Sequence, residues 1–381
     1  MSGSLPVSGF LRVDKPLGVT SFDVVTAFRR ATGIRKVGHA GTLDPQASGL
    51  LLLGYGQGTR LLRYLAGEAK AYRTVIRLGA RTTTDDSEGN LLEQGRADAV
   101  AQRVRGLAPE VIARTVRERF VGAIQQVPSA YSAVRVDGQH AYDLARRGQV
   151  VRLKARSVVV SAFKLGEPRF VTAAEANAGF ASSANPANRV PADAPDEVLF
   201  CDVPAVVTCS AGTYIRSLGR DLGDALGVGG YLTSLRRTAI GGFSVDGSVP
   251  VRAERYLFQN RKTGGTSWRT RAVVDADRLA PAAVPLAAVA RRAMPSVEVD
   301  DAQARDLRCG RWVPCAAVRP PAADDSVDSM DPDSMDPRTS ASPTAAIRCA
   351  DGREELIAVV EADPQRSAGS AWRPVAVFPE E

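Results

Sequence analysis

Histidine and cysteine are scarce in this 381-residue chain. There are two histidines, His39 and His140, and five cysteines, Cys201, Cys209, Cys309, Cys315 and Cys349. No two cysteines stand as C-x-x-C, so the closely spaced ligands of a structural zinc site are missing. An odd, scattered set also provides no disulfide framework and suits a reducing compartment. No apolar run is long enough to span a bilayer, and no membrane partner is expected. The first residues, Met1 to Gly9, lack the basic and apolar blocks of a signal peptide, so a cytoplasmic location is expected. A Ser-His-Asp hydrolase would have two imidazoles to choose from and no G-x-S-x-G elbow. There is no G-x-x-x-x-G-K-[ST] phosphate loop. Gly54-Tyr55-Gly56-Gln57-Gly58 joins a strand to a helix, as a dinucleotide-binding turn does, but Thr59 stands where that fingerprint needs Gly or Ala.

Against these absences, 44% of residues are hydrophobic and 24% charged, enough for a sizeable core. At about 150 residues per domain the length suggests two domains. The formal net charge is +7, a modest surplus that favours polyanionic partners, nucleic acid first, but that also serves solubility.

Periodicity predicts strands at Phe10–Val13, Gly49–Leu53 and Lys70–Leu78. A helix should follow Thr20 or Ser21, with Asp23 at its positive end and Gly33 as its stop. Thr59 should cap a second helix through Arg60–Leu65. Gly38 to Pro45 has neither period and should be a loop. Ile112, Val116 and Phe120 recur as one helix face. Val198–Phe200 and Ala205–Thr208 read as two paired strands. A helix should begin after Gly212, burying Leu218, Leu222 and Leu226. Further on, a helix is expected within Asp301–Trp312, and strands at Leu356–Val360 and Pro374–Phe378. The irregular mixture favours an α+β fold. Arg169–Asp196 reads as a low-complexity surface insertion. Pro320–Thr344, with Asp-Ser-Met-Asp-Pro twice in tandem, reads as a disordered loop.

Several residues have the character of a site. Asp44 precedes Pro45, which favours extended backbone, and is flanked by small residues and an apolar strand. A carboxylate there can sit at the mouth of a core, although Asp-Pro also simply starts turns. His39 lies between Gly38 and Ala40, where a ring can protrude. Lys70 and Tyr72 share one strand face, which suits stacking on a base beside a phosphate. Arg216 falls in the first turn of a helix, where the dipole disfavours a cation, so it wants an anion. Arg236 and Arg237 add charge near a strand, or form a solvated face.

Together these segments resemble the TruB family of tRNA pseudouridine synthases. The likeness is carried in order by Asp14-Lys15-Pro16-x-Gly18-x-Thr20-Ser21, by Gly38-His39-Ala40-Gly41-Thr42-Leu43-Asp44-Pro45-x-Ala47-x-Gly49, by Lys70-x-Tyr72 with Leu78-Gly79, and by Gly212-Thr213-Tyr214-Ile215-Arg216 with Asp221-Leu222-Gly223. Pro128-Ser129-Ala130-Tyr131-Ser132-Ala133 is a further match. The resemblance runs from about Gly9 to Phe243. It implies a pseudouridine-synthase fold, a mixed and mainly antiparallel sheet flanked by helices, over residues 1–284. A small PUA-like RNA-binding domain over 285–381 would follow.

The implied reaction isomerises the T-loop uridine numbered 55 in tRNA convention, with no cofactor and no metal. The partner would be the T-arm of tRNA and the enzyme a monomer. By resemblance Asp44 is the catalytic carboxylate. Three routes stay open to it: attack at C1′, addition to C6, or proton abstraction to a glycal. Arg216 would pair with Asp44 and keep it ionised, and Tyr72 would stack on the uracil. His39 would fill the space left by the flipped base, and Lys15 and Lys70 would support the site or reach phosphates. Tyr214, Arg236 and Arg237 complete the expected RNA contacts. One departure stands out. The family often reads Arg-Thr-Asp-Thr after Leu-Gly-x, whereas here Arg81-Thr82-Thr83-Thr84 precedes Asp85-Asp86, which leaves Asp86 as a substitute acid. The rivals are a synthase for another or a guided RNA, and a non-catalytic RNA-binding protein, which would have no need of Asp44.

Overall fold

A computed structural model describes residues 4–92, 97–132, 134–136, 138–172, 174–176, 198–260, 264–314, 317–322, 343–362 and 371–380. The chain divides into two compact units, Met1–Glu68 with Thr238–Glu381, and Ala69–Arg237.

In the first unit the strand Gly9–Lys15 pairs antiparallel with Ser48–Tyr55, which also pairs with Val37–His39. On its other side Gly9–Lys15 runs parallel to Val249–Gln259, which forms a hairpin with Thr266–Val274. The helix Ser21–Thr32 is closed at both ends as its sequence predicts. Thr20 and Asp23 make a reciprocal capping box, and Gly33 ends the helix in the left-handed conformation at φ 74°. The buried Val24, Val25 and Phe28 pack with Leu11, Val13, Leu51, Leu53 and Val249.

A five-stranded sheet lies near the C-terminus, in the order 296–299, 344–350, 353–362, 371–377, 313–314. One cluster joins Phe10, Leu50 and Leu52 to Val289, Ile347, Val359 and Phe378. The expected boundary at 284/285 therefore runs through this unit.

In the second unit Lys70–Leu78 pairs antiparallel with the twelve-residue strand Val198–Cys209. That strand also pairs with Arg156–Leu165 and Arg169–Thr172. The helix Ile215–Ala225 follows it, burying Leu218 and Leu222.

The α+β class and the mixed, mainly antiparallel sheet are as expected. Five local expectations are corrected. Gly38 and His39 are strand rather than loop, because Ser48–Tyr55 offers them a ladder. The Thr59 hydroxyl bonds back to the Gly56 carbonyl inside a 3-10 turn, Gly56–Arg60, and does not cap the helix Leu62–Ala66. Val198–Phe200 and Ala205–Thr208 are parts of one strand, not a pair. Within the supposed insertion, Arg169–Thr172 is a paired strand with Val171 buried, while 177–196 lie outside the described residues. Of Pro320–Thr344, Thr344 opens a strand and the Ala322 N–H bonds the Arg291 carbonyl; residues 323–342 are outside the description.

Candidate active site

Asp44 sits partly buried in a short loop of the first unit that is tied down at nearly every residue. The Ala40 N–H bonds the Leu52 carbonyl. Ser21 holds Leu43 by both backbone groups: its hydroxyl donates to the Leu43 carbonyl at 3.1 Å and accepts from the Leu43 N–H at 2.9 Å. The Asp44 carbonyl accepts from Ala47 N–H, which closes a tight turn. The Pro45 carbonyl accepts from the Gly18 N–H at 2.9 Å and from Lys15 Nζ at 3.5 Å. A side chain on such a loop has little backbone freedom left to lose when it binds a ligand.

Lys15 departs from the expected phosphate contact. It is fully buried, and its ammonium donates to the Pro16 and Val19 carbonyls at 2.8 Å each as well as to Pro45. Carbonyl oxygens on three sides compensate the desolvated charge. Of the two roles expected for Lys15, this geometry offers support, bracing the turn beside Asp44 from beneath. His39 is at the end of its strand, opposite Leu53 and partly buried.

The other candidates lie in the second unit. Lys70 and Tyr72 share a strand face as expected, but it is the buried one, with 7% and 8% exposure. They pair with Cys209 and Val207, and Cys209 Sγ donates to the Lys70 carbonyl. Burial pushes the Cys209 thiol up to about 11, against the pull of Thr213 and Lys70, which leaves it an inert core group. Five residues beyond Cys209, Tyr214 forms the N-cap of the next helix. Its backbone is held from both sides by the Gln126 amide, which accepts from the Tyr214 N–H at 2.8 Å and donates to its carbonyl at 3.0 Å.

Arg216, one residue into that helix, is buried beside an anion, as its position demands. Nη1 lies 3.5 Å from the Asp86 carboxylate, with Arg216 and Asp86 side chains 6% and 9% exposed. Nη1 also donates to the Thr84 carbonyl and Nη2 to the Tyr131 carbonyl, each at 2.9 Å. Asp86 in turn accepts from the Thr84 hydroxyl at 2.5 Å and from the Glu88 N–H at 3.0 Å. Asp85, in the left-handed region at φ 61°, faces Arg220 at 3.1 Å. Burial raises the Asp85 pKa, with Arg220, Ser129 and Arg216 opposing.

The helix is held close to its neighbours by missing side chains. A Cβ at Gly223 would overlap the backbone of Gly229 and Gly230, and one at Gly219 would press on Leu232 Cδ2. Arg236 and Arg237 are in the strand Gly230–Ile240, yet Arg237 is 1% exposed. It is neither a surface RNA contact nor a solvated face in this structure, because alternation along the strand turns it inward.

Gln126, and the bracing role of Ser21, which the sequence offers only as a helix cap, add to the expected set. Their signal is faint: Gln126 ends a strand on its buried phase, and Ser21 is a buried hydroxyl just inside a helix start. Asp86, a substitute acid in the sequence, is here the buried partner of Arg216.

A model of the TruB family pseudouridylate synthase N-terminal domain matches residues 29–178. The tRNA pseudouridine synthase B of Bifidobacterium longum (strain NCC 2705) is 39% identical over 362 residues, covering 83% of this chain and 91% of that one. The chain belongs to the TruB family. TruB membership makes it a pseudouridine synthase, an isomerase, as the four motifs imply. The tRNA pseudouridine synthase B of Thermobifida fusca (strain YX) is 50% identical over 238 residues, 62% of this chain and 71% of its own. The TruB chain also shares its fold with solved structures. It matches a chain of an H/ACA RNP bound to a substrate RNA containing 2′-deoxyuridine, with TM-score 0.57 at 21% identity over 98% of this chain and 85% of the other. A Cbf5-Nop10-Gar1 complex matches with TM-score 0.55 at 22% identity, covering 98% and 84%. The small C-terminal sheet is accordingly the PUA-like part of a TruB fold. Among the described residues, no helix is long and apolar enough to cross a membrane.

Proposed function

We propose that this pseudouridine synthase acts on tRNA and isomerises the T-loop uridine at tRNA position 55. Asp44 is its catalytic carboxylate. The observation that carries the reading is the Asp44 loop, braced by Ser21, Gly18 and Lys15, within a sequence alike over most of its length to synthases named for tRNA.

The reaction breaks the C1′–N1 bond, turns the uracil and joins C1′ to C5, with the C5 proton finally lost and N1 protonated. Nothing is oxidised or reduced. A carboxylate is suited to the first step because it is anionic, compact and nucleophilic, whether it acts at C1′, at C6 or on a sugar proton. Arg216 pairs with Asp44 in this reading. A guanidinium has five N–H donors, so it can hold carbonyls and carboxylates in one fork. Tyr72 stacks on the flipped uracil, a contact worth roughly 1–3 kcal/mol, of the order of the cost of extruding a loop nucleotide. His39 fills the vacated space. Lys70, Tyr214 and Arg236 border the RNA, and recognition rests chiefly on the shape of the T-arm. Residues 285–381 act as the RNA-binding domain beside a catalytic domain over 1–284. The enzyme works as a cytoplasmic monomer.

The test is incubation with unmodified tRNA transcript, without added cofactor or metal, followed by mapping of every pseudouridine. Modification of position 55 alone is expected. Modification elsewhere, or only with a guide RNA, would overturn the site assignment. Binding without turnover would favour a non-catalytic RNA-binding role.

A further inference from the structure

The hairpin Val249–Gln259 and Thr266–Val274 is joined to the sheet at its root, and Thr266–Val274 also packs against the helix Ser21–Thr32. Val249 pairs with Val13 and Pro250 with Asp14, in parallel register. Val249, Val251 and Ala272 are buried in the cluster that holds Val24 and Phe28. Beyond Pro250, the register of the strand is with Thr266–Val274. Because the pairing with Gly9–Lys15 is parallel and begins near its C-terminal end, the hairpin runs on past Lys15. That is the end of the sheet from which Lys15 reaches Pro45, next to Asp44. At about 3.3 Å per residue, the stretch from Pro250 to Gln259 reaches roughly 30 Å.

The composition of this ribbon is unlike that of the rest of the chain. Its two strands hold four basic side chains, Arg252, Arg255, Arg269 and Arg271, and one acid, Glu254, which pairs with Arg271 at 3.3 Å. The formal excess of the whole chain is only +7. Arginines and aromatic rings interleave on both faces. The Arg269 guanidinium lies 3.6 Å from the Phe258 ring centre, Arg255 5.3 Å from Trp268 and Arg271 5.4 Å from Tyr256. Trp268 is 63% exposed and Leu257, its cross-strand partner, 56%.

Such pairs also stabilise a two-stranded ribbon, and basic residues discourage strand edges from pairing with other chains. Both purposes would be served as well by balanced charge. Neither explains an exposed Trp268 beside Leu257, which works against solubility. A surplus of like charge remains on the narrow ribbon after Glu254 is counted, and it is self-repulsive until a polyanion meets it. Arginine forks match phosphates, and exposed rings accept unpaired bases.

We infer that the hairpin is an RNA-gripping arm. Its arginines take phosphodiester groups, and Trp268 takes an unpaired base, of the same RNA molecule whose uridine is presented to Asp44. This rests on the tRNA reading given above. The arm widens the footprint beyond the modified loop, so it contributes most on a full-length substrate.

The test compares wild type with Arg255→Ala/Arg269→Ala/Arg271→Ala and with the charge-keeping Lys triple at the same positions. Each is measured on full-length tRNA transcript and on an isolated T-arm stem-loop. The Ala triple should bind the full transcript at least tenfold more weakly, and its dependence of log K on log[salt] should flatten by about two. Its kcat/KM on that transcript should fall through KM more than through kcat. The stem-loop should respond far less, and the Lys triple should recover most of the affinity. A wild type that turns over tRNA and an Ala triple with unchanged affinity and salt slope would overturn the arm and leave the function standing. Equal losses on transcript and stem-loop, or no recovery by the Lys triple, would also overturn it, pointing to a folding defect. A wild type inactive on tRNA would overturn the substrate reading and, with it, the arm.

Discussion

Arg216 and Asp86 face each other at 3.5 Å with both side chains almost wholly buried. The arginine that the helix dipole disfavours thus has its counter-charge in a residue just past the place where the family's usual acid is replaced by Thr83. Removing one member of a buried pair strands the other. Asp86→Ala should therefore cost about 3 kcal/mol, toward the low end for such pairs because the Thr84 and Tyr131 carbonyls still hold Arg216. Urea unfolding checks it; a loss well under 1 kcal/mol would mean that solvent already screens the pair.

Asp44→Asn keeps the size of the side chain and its turn while removing the anion. Pseudouridine formation should fall below detection, with tRNA affinity kept within a few fold. Single-turnover assays beside a binding titration separate the two, and retained turnover would remove Asp44 from the chemistry.

Lys15→Met should act on stability first. It removes the ammonium from the Pro16, Val19 and Pro45 carbonyls and leaves them in a dry setting. A loss of roughly 1–3 kcal/mol is expected, with kcat reduced through a loosened Asp44 turn. If RNA affinity fell while stability and kcat held, Lys15 would be a phosphate contact after all.

Asp85 should leave a mark on the pH dependence of folding. Burial holds its carboxyl above the ordinary value of 3.8. A carboxyl raised on folding contributes stability that is complete below its unfolded pKa and is lost as pH rises through its folded pKa. Near neutrality, then, ionised Asp85 is a handicap. Asp85→Asn, which tolerates the left-handed backbone, should be the more stable protein at pH 7, and the gap should close on acidification toward pH ~4. Unfolding of both proteins across that range is the measurement. A gap that widens toward acid would mean that the attraction of Arg220 outweighs the burial.

Local features were legible in the sequence where one short segment decides them. Thr20, Asp23 and Gly33 carry both ends of a helix, and alternation carries Lys70–Leu78. The long strand Val198–Cys209 was not, because Pro204 sits within it. Its carbonyl accepts from Gly166 N–H, so the side of Pro204 lacking a donor faces the turn where the neighbouring strand changes from 156–165 to 169–172. Asp44 stood out through its motif, while the bracing of its loop by Ser21 and Lys15 involves partners far apart in the chain. Arg216 is legible as a cation in want of an anion from its place in a helix's first turn. That Lys15 and Arg237 are inside has no local mark and follows from their tertiary surroundings.

Gly223 sets a mechanical tolerance at a distance. Seven residues, or roughly 10 Å of helix, separate it from Arg216. At that point the helix rests directly on the backbone of Gly229 and Gly230. The contact is a fulcrum: a single methyl group inserted there would tilt the rod and swing its far end. The aim of Arg216 is thus calibrated by an absence of atoms two turns away, and an alanine at 223 would misalign the guanidinium without touching it.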